Sequence, residues 1–363
     1  MATTKVTYAL IVLNGEPFIK YQLSYLYKHA HQILIVEGAV KKFKHGSKNF
    51  ASKDKTAQII KNFPDPEKKI KLIKKNRYFN NKKEMCNEYI KFITGNVLWQ
   101  IDVDEFYSDE THRYIKKIFS NFNTLDQVSF KFYDYYKTFD LIINGYPTEF
   151  NDIPRVHRVV KGMKWSNHRP PELKLNKNKL VPRKKFDGKQ MLKKKHCMHN
   201  LTMIFDNQVK DKFIYYGSRS KVVFSGQSDW YYDSWINYKL KFSVSGFKNC
   251  ITYLTKRKHE LPNILKLISN DISNNNYKNF YFGSDKIIKY KIIKKDYKNL
   301  TLLADKINYL KKENFFIKIY MSIILFIKIS LIKKSGDKSF FYIVLLKNLF
   351  PKYIKNIIKI FIK

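Results

Sequence analysis

Strand-like and helical segments alternate through the first 120 residues, and this alternation constrains the fold more than any other feature of the chain. The segment KVTYALIVLNGE is predicted to be a buried strand that stops at Asn14. A helical pattern with Pro17 in its first turn follows, and HQILIVEGA is predicted to be a second buried strand. Strand, helix and strand form a βαβ unit, in which parallel strands are expected.

The same alternation continues with two further strands, KIKLIKKN and NVLWQIDVDEFY, around a helix that is predicted to close at Gly95. We therefore predict an α/β fold with a Rossmann-like, mostly parallel sheet and helices on both faces. After residue 120 the pattern changes to alternating, aromatic strands. One large domain is predicted over residues 1–230 and a helical extension over residues 231–310.

Residues 311–363 are rich in isoleucine, phenylalanine and lysine, and they predict a basic amphipathic tail. In PKYIKNIIKIFIK the lysines recur at steps of three and four, while Ile354, Ile358 and Phe361 share the other side of the helix. A helix of this kind can bind an anionic membrane surface. The alternative is that its apolar side packs on the first domain.

The formal net charge of +40 indicates an anionic partner, such as a nucleotide, a nucleic acid or an acidic lipid. Only eight of the 70 basic residues are arginine, however, and base-reading proteins depend on the arginine fork. The lysines are also spread widely along the chain. We therefore expect no specific nucleic-acid partner, although a non-enzymatic basic nucleic-acid-binding protein stays open as an alternative.

The three cysteines are far apart and odd in number, which excludes a disulfide framework and a paired zinc pattern. This usage is typical of a reducing compartment. The apolar run at the amino end is too short for an export signal. We therefore expect a cytoplasmic protein, with the tail as a means of peripheral attachment to the cytoplasmic face of a membrane.

Three carboxylates, Asp102, Asp104 and Glu105, end an apolar run in LWQIDVDEFYSDE. Within a strand, Asp102 and Asp104 would point to the same face, where they would repel each other unless a cation lay between them. Oxygen ligands suit Mg²⁺ or Mn²⁺, and open α/β sheets bind ligands beyond the carboxyl ends of their strands. The alternative is that these acids only end the strand and cap a helix that begins near Ser108.

The segments ALIVLNGEPFIKYQLSYLYKHAHQILIVEGA and KKEMCNEYIKFITGNVLWQIDVDEFY resemble glycosyltransferases of the GT-A fold, of the family-2-like kind with a DxDE motif. The resemblance covers residues 5 to about 220 and fades beyond. It implies a GT-A catalytic domain, a nucleotide-sugar donor, and Mn²⁺ or Mg²⁺ held on the donor diphosphate by Asp102 and Asp104. The acceptor would be a glycan, a lipid-linked molecule or a protein.

Five further positions are candidates for donor binding. The resemblance places Asn14 and Glu16 near the nucleotide, although a tight turn explains them equally. Glu37 ends the second strand, where an acid can bind ribose or base; an exposed loop acid is the alternative. Lys83 and Asn87 lie in the helix before the motif, where Lys83 could meet phosphate or could simply be solvated.

Two segments supply candidates for the remaining roles. HCMHN lacks a second pair for zinc, and the resemblance suggests His199 as a further metal ligand, with a buried structural histidine as the alternative. The proline-containing loop KWSNHRPPEL supplies Glu172 or His168 as the general base of an inverting transfer, and Glu105 or Asp109 could also serve. Trp165 could stack on an acceptor sugar or lie in the core. The sequence leaves inverting and retaining chemistry open.

A nucleotidyltransferase is the rival enzyme class, because it shares the α/β architecture and acid-held Mg²⁺. Such enzymes usually have a glycine-rich, basic phosphate loop after the first strand. The segment LNGEPF is not one, and this favours the glycosyltransferase.

Overall fold

A computed structural model describes residues 3–146, 152–219, 235, 251–274, 276 and 277. They fall into two compact units. The first contains the described residues in 3–142, 152–219 and 256–277, and the second contains those in 143–146 and 251–255 together with residue 235. Both cavities described below lie wholly within the first unit.

The strands and helices of the described residues follow the chain in this order. The strands are β1 Val6–Val12, β2 Gln32–Glu37, β3 Ser47–Lys48, β4 Ala51–Ser52, β5 Ile70–Ile73, β6 Val97–Gln100, β7 Glu105–Phe106, β8 Leu125–Phe130, β9 Phe132–Tyr136, β10 Thr138–Tyr146, β11 Ile153–Arg158, β12 Met163–Asn167, β13 Glu172–Leu175, β14 Asn178–Lys179, β15 Lys184–Phe186, β16 Met198–Met203 and β17 Ile251–Lys256. The helices are α1 Phe18–Tyr27, α2 Thr56–Asn62, α3 Lys82–Ile90, α4 Asp109–Asn121, α5 Gly188–Lys193, α6 Asp206–Arg219 and α7 Asn263–Ser273, with a 3₁₀ helix at Lys41–Gly46.

A seven-stranded sheet in the order β5-β2-β1-β6-β11-β8-β15 forms the centre of the first unit. The pairs β1–β2, β1–β6, β2–β5 and β8–β15 are parallel, and β11 runs antiparallel to both of its neighbours. The predicted α/β fold and the parallel βαβ unit are therefore confirmed. Because the chain builds outward from β1 to β5 and then returns to place β6 on the other side of β1, the strand order reverses between β1 and β6. Open α/β sheets bind ligands at such a point.

Apolar side chains cover the sheet on both faces. Leu10 of β1 and Phe18 of α1 belong to a core cluster that α2 and α4 also enter. Ala9, on the opposite face of β1, belongs to a second cluster with Tyr89 of α3. Full burial of a side chain such as Leu10 or Phe18 stabilises the fold by about 1.5–3 kcal/mol. The prediction of helices on both faces of the sheet is also confirmed.

The strand predicted to run through Tyr107 is shorter than expected. β6 ends at Gln100, and Asp102 begins a turn in which the backbone N–H of Glu105 donates to the Asp102 carbonyl over 3.0 Å. The Glu105 carboxylate accepts from the Asp102 N–H over 3.1 Å, and this local bond competes with a continued strand ladder. The expectation that Asp102 and Asp104 lie on one strand face was therefore wrong.

The helix predicted to close at Gly95 ends earlier, at Ile90. Gly95 instead packs against β1, where an added Cβ would lie 2.4 Å from the Lys5 carbonyl oxygen. This glycine therefore serves the close approach of two backbones.

The carboxyl-terminal predictions fall largely outside the described residues. Within 231–310 the described residues form one strand, β17, and one helix, α7. The basic tail predicted for residues 311–363 lies beyond them. Across the described part of the chain, no helix has both the length and the apolar character needed to cross a bilayer.

Candidate functional site

A cleft of about 340 Å³ lies at the carboxyl ends of the central parallel strands. Asn14 follows β1, Gly38 follows β2, and Asp102 and Asp104 follow β6, and all four residues line the cleft. The cleft therefore occupies the place where the strand order reverses. We call it the donor cleft, after the nucleotide-sugar donor that the sequence resemblance implies.

Two arginines neutralise Asp102. Its Oδ2 lies 3.2 Å from Nη2 of Arg155 and 3.2 Å from Nη2 of Arg169. Burial opposes ionisation of Asp102, but the charges of the two arginines outweigh it and hold the pKa of this carboxyl well below its usual value. Asp102 is therefore an anion held in a fixed place.

A separate set of contacts holds Asp104. Its Oδ2 lies 2.5 Å from Nζ of Lys212 and accepts from the Thr202 hydroxyl over 2.8 Å. The backbone N–H of Leu201 donates to the Asp104 carbonyl over 2.8 Å. Burial opposes ionisation here too, but the charge of Lys212 lowers the pKa of Asp104 below its usual value. Both motif aspartates are thus ionised at neutral pH.

The two aspartates are suitable ligands for a hard divalent cation. Oδ2 of each is engaged with a cationic side chain, whereas Oδ1 of each has no hydrogen-bond partner or ion pair within the described structure. The described residues hold no cluster of three or more histidine, cysteine, aspartate or glutamate side chains placed for a metal. A Mg²⁺ or Mn²⁺ ion here would therefore bind one or two carboxylates and complete its shell with phosphate oxygens and water, which is common for Mg²⁺.

Glu105 does not line the cleft, but its carboxylate accepts a hydrogen bond from the backbone N–H of Asp102, which does. It forms a close ion pair with Arg155, and both side chains are almost fully buried. Burial raises the pKa of Glu105 to about 7, the charges of Asp102 and Asp104 add to this, and Arg155 opposes it. The contacts indicate that Glu105 orients Arg155, which in turn orients Asp102.

Replacing Arg155 with methionine is expected to destabilise the chain by about 3 kcal/mol, because buried carboxylates lose their neutralising charge. The matched control is Arg113→Met, which removes an exposed ion pair with Glu110 and should cost under about 1 kcal/mol. Urea unfolding of both variants measures the difference. Equal stability losses would show that Arg155 has no special role in the site.

Asn14 and Glu16 line the cleft, and their side chains also hold the surrounding loops. Asn14 adopts a left-handed φ of 54°, donates from Nδ2 to the Gly46 carbonyl, and accepts at Oδ1 from the Lys53 N–H. Glu16 accepts at Oε2 from the Lys55 N–H over 2.9 Å. They shape the wall of the cleft and remain candidates for donor binding.

Glu37 and Asn87 are occupied by contacts within the protein. Oε1 of Glu37 accepts from the Ser52 N–H over 2.5 Å, and Oε2 pairs with Lys74 over 3.3 Å. The Asn87 amide bonds the backbone of Trp165 in both directions, over 2.8 and 3.1 Å. Neither Glu37 nor Asn87 lines the cleft, so the structure places both away from the donor position predicted for them.

The structure places His199 with aromatic residues and away from the two aspartates. Its Nδ1 lies 2.8 Å from the Tyr135 hydroxyl and its Nε2 lies 3.5 Å from Sγ of Cys197. It does not line the donor cleft, and burial lowers its pKa to about 3. Its neighbour Thr202, on the same strand, is the residue that reaches Asp104. The contacts thus match the structural alternative for this histidine.

The three candidate bases lie in different surroundings. Glu172, on β13, bonds the Ser166 hydroxyl and pairs with Lys179, and it borders neither cavity. Asp109 pairs with Lys28 and His29 at the start of α4. His168 does border a cavity, a second one of about 350 Å³ that also contains Lys83.

His168 is almost fully buried, and its Nε2 has no hydrogen-bond partner in the described structure. Burial lowers the pKa of His168 to about 3, so its ring is neutral at pH 7 and suits hydrogen bonding better than proton abstraction. Trp165, beside this loop, is only 1% exposed and lies in the core. It is therefore not a stacking platform for a sugar.

Residues of the candidate site that the sequence analysis did not single out are mostly cationic. Arg155, Arg169 and Lys212 hold the aspartates, and Lys82 lines the cleft beside them. Arginine is scarce in this lysine-rich chain, so an arginine near the end of a predicted strand could have been taken as a candidate partner for the buried aspartates. Asp134 on β9 was also missed. Burial raises its pKa to about 6, and its carboxylate accepts from the Asn200 amide.

The chain has low similarity to known proteins. No protein-family model matches it, and no curated protein matches it. Among solved structures, S. aureus TarS 1-349 is similar over 66% of this chain and 76% of that chain, with 11% identity and a TM-score of 0.33.

Two further solved structures are similar over 36% of this chain. The mannosyltransferase PcManGT from Pyrobaculum calidifontis, in complex with GDP-Man and Mn²⁺, is 18% identical with a TM-score of 0.29 over 36% of its length. A glucosyl-3-phosphoglycerate synthase from Mycobacterium tuberculosis is 11% identical with a TM-score of 0.27 over 44% of its length. The chain spans only 22% to 36% of the first structures that it matches.

Proposed function

We propose that this protein is a glycosyltransferase that moves a sugar from a nucleotide-diphosphate sugar to a glycan, lipid-linked or protein acceptor. The observation that carries the proposal is the donor cleft itself. Two ionised aspartates follow the parallel strand β6, and Lys82, Arg169 and Lys212 line the same cleft, where they can meet a diphosphate. A nucleotidyltransferase would need a phosphate loop after β1, and Asn14-Gly15-Glu16 supplies an acid there instead.

Different residues of the cleft would bind the metal ion and the phosphate groups of the donor. Asp102 and Asp104 would hold Mg²⁺ or Mn²⁺, which would stabilise negative charge on the departing nucleoside diphosphate. Lys82 and Arg169 border the same cleft and can contact phosphate oxygens directly. Lys212 keeps Asp104 ionised and lines the cleft. Its ammonium group has three N–H donors, so it can contact a phosphate oxygen while it stays paired with Asp104.

We infer that Asp134 is the general base that takes the proton of the acceptor hydroxyl. Its pKa of about 6 is close to the working pH, as base catalysis requires, whereas the neutral ring of His168 is too weakly basic. Contacts link Asp134 to the cleft. Its carboxylate accepts from Nδ2 of Asn200, and the Thr202 hydroxyl lies 2.8 Å from Oδ1 of Asn200 and 2.8 Å from Oδ2 of Asp104, which lines the cleft.

A nucleoside diphosphate with Mn²⁺ is expected to raise the melting temperature of the full chain, because a ligand that binds only the native state stabilises it. At 100 times the dissociation constant the native state gains about 2.7 kcal/mol. Asp104→Asn should reduce this gain, and chelator should reduce it in the unaltered chain. Stabilisation by duplex DNA but by no nucleoside diphosphate would instead favour the nucleic-acid-binding alternative.

A further inference from the structure

The second cavity, next to the donor cleft, is lined by basic and polar residues. Four cationic side chains border it and no carboxylate does among the described residues that line it; the four are Lys42, Lys82, Lys83 and Arg169. We call it the basic pocket. The donor cleft differs in that five carboxylates offset its four cationic side chains; the carboxylates are Glu16, Asp54, Asp102, Asp104 and Asp211. The described lining of the basic pocket thus carries a net positive formal charge, and that of the donor cleft does not.

The two cavities adjoin each other. Lys82, Arg169, Val40 and Tyr215 border both of them. Arg169 is the main link, because its guanidinium pairs with Asp102 over 3.2 Å while the residue borders the basic pocket. A molecule bound in the basic pocket would therefore lie beside the Arg169 side chain, whose guanidinium contacts Asp102.

A buried histidine and several polar residues form the wall of the basic pocket. His168 is 5% exposed and lines the pocket, and its Nε2 has no hydrogen-bond partner in the described structure. A buried polar group without a partner costs about 1–3 kcal/mol. The neighbouring residues Asn80, Asn81, Ser166 and Asn167 also line the pocket and offer polar groups to a ligand.

We propose that the basic pocket binds a phosphate group on the acceptor, and this rests on the glycosyltransferase function proposed above. A phosphate group has several oxygens, so it can accept hydrogen bonds from lysine ammonium groups and from an arginine guanidinium at the same time. The cavity volume of about 350 Å³ suits a phosphorylated sugar or a phosphorylated segment of a larger acceptor. The chain has a net charge of +40, so lysines are common on its surface. The concave shape of this pocket, and the lack of acids among the described residues that line it, distinguish it from that surface.

Isothermal titration of the full chain with glucose 6-phosphate, glucuronate and glucose tests the proposal. These probes share the same ring configuration and differ at C6, which carries a phosphate ester, a carboxylate or an uncharged hydroxymethyl group. We expect glucose 6-phosphate to bind more tightly than glucuronate and glucose not to bind measurably. Lys42→Gln and Lys83→Gln should each weaken glucose 6-phosphate binding by about two- to fivefold, because each removes a charge-assisted contact made by an exposed lysine.

The matched control is Lys117→Gln, which removes an exposed lysine on α4 outside both cavities and should leave binding unchanged. Equal weakening by Lys117→Gln would overturn the proposal, because the anion would then respond to diffuse charge only. Glucuronate binding as tightly as glucose 6-phosphate would also overturn it. If the lysine variants weaken binding but the chain hydrolyses no nucleotide sugar, the phosphate pocket stands and the transferase function fails.

Discussion

Asp104→Asn and Asp102→Asn are each expected to lower nucleotide-sugar turnover by about 100- to 1,000-fold, on the scale of losing one preorganised electrostatic contact. Each change removes one of two anionic side chains that line the donor cleft. An amide cannot replace the charge that a divalent ion requires, even though its shape is nearly the same. The rate of nucleotide-sugar hydrolysis by each variant, at saturating Mn²⁺, measures the effect.

Folding should persist in both variants, and this separates a chemical loss from a structural one. Lys212 is about a third exposed, so water can solvate its charge in Asp104→Asn. In Asp102→Asn, Arg155 keeps its ion pair with Glu105. Glu110→Gln, which changes an exposed carboxylate on α4, is the matched control and should retain full turnover. Full turnover in both aspartate variants would rule out their role in binding the donor.

Asp134→Asn is expected to lower turnover by at least about 100-fold, the usual scale of a general base. A base acts only when deprotonated, so turnover of the unaltered chain should rise as the pH rises through about 6, which is the pKa of Asp134. The variant should lose this acidic limb of the pH–rate profile. Donor binding should change little, because Asp134 does not line the donor cleft.

The control for this prediction is Asp140→Asn, which alters a carboxylate that is 82% exposed on β10, the strand that pairs with β9. It should keep both the rate and the acidic limb. An Asp134→Asn variant with an unchanged pH–rate profile would show that another group takes the proton. His168 would then be the next residue to replace, because it alone among the bases predicted from sequence borders a cavity.

The parallel part of the fold could be predicted because its information is local. Buried strands and an amphipathic helix alternate in the first 107 residues, and the handedness and pairing of a βαβ unit follow from that alternation. The same alternation placed Asp102 and Asp104 at the carboxyl end of a central strand. Their position in the donor cleft follows directly from it.

The partners of the aspartates could not be predicted, because they come from distant parts of the chain. Arg155 lies 53 residues after Asp102, and Lys212 lies 108 residues after Asp104. Arg155 lies on the antiparallel strand β11 and Lys212 lies on the helix α6. The hydrophobic periodicity of the sequence does not indicate which residue of such an element will contact a buried carboxylate. His199 was misleading for the same reason, since its strand places Thr202 at Asp104 and turns the histidine toward Tyr135.

Hydrolysis of a panel of nucleotide-diphosphate sugars by the full chain with Mn²⁺ tests the central proposal most directly. We expect at least one nucleotide sugar to be cleaved to free sugar and nucleoside diphosphate, with the reaction lost in excess chelator and in Asp104→Asn. If no member of the panel is cleaved or bound, or if chelator and Asp104→Asn leave the rate unchanged, the donor cleft does not do the chemistry proposed for it.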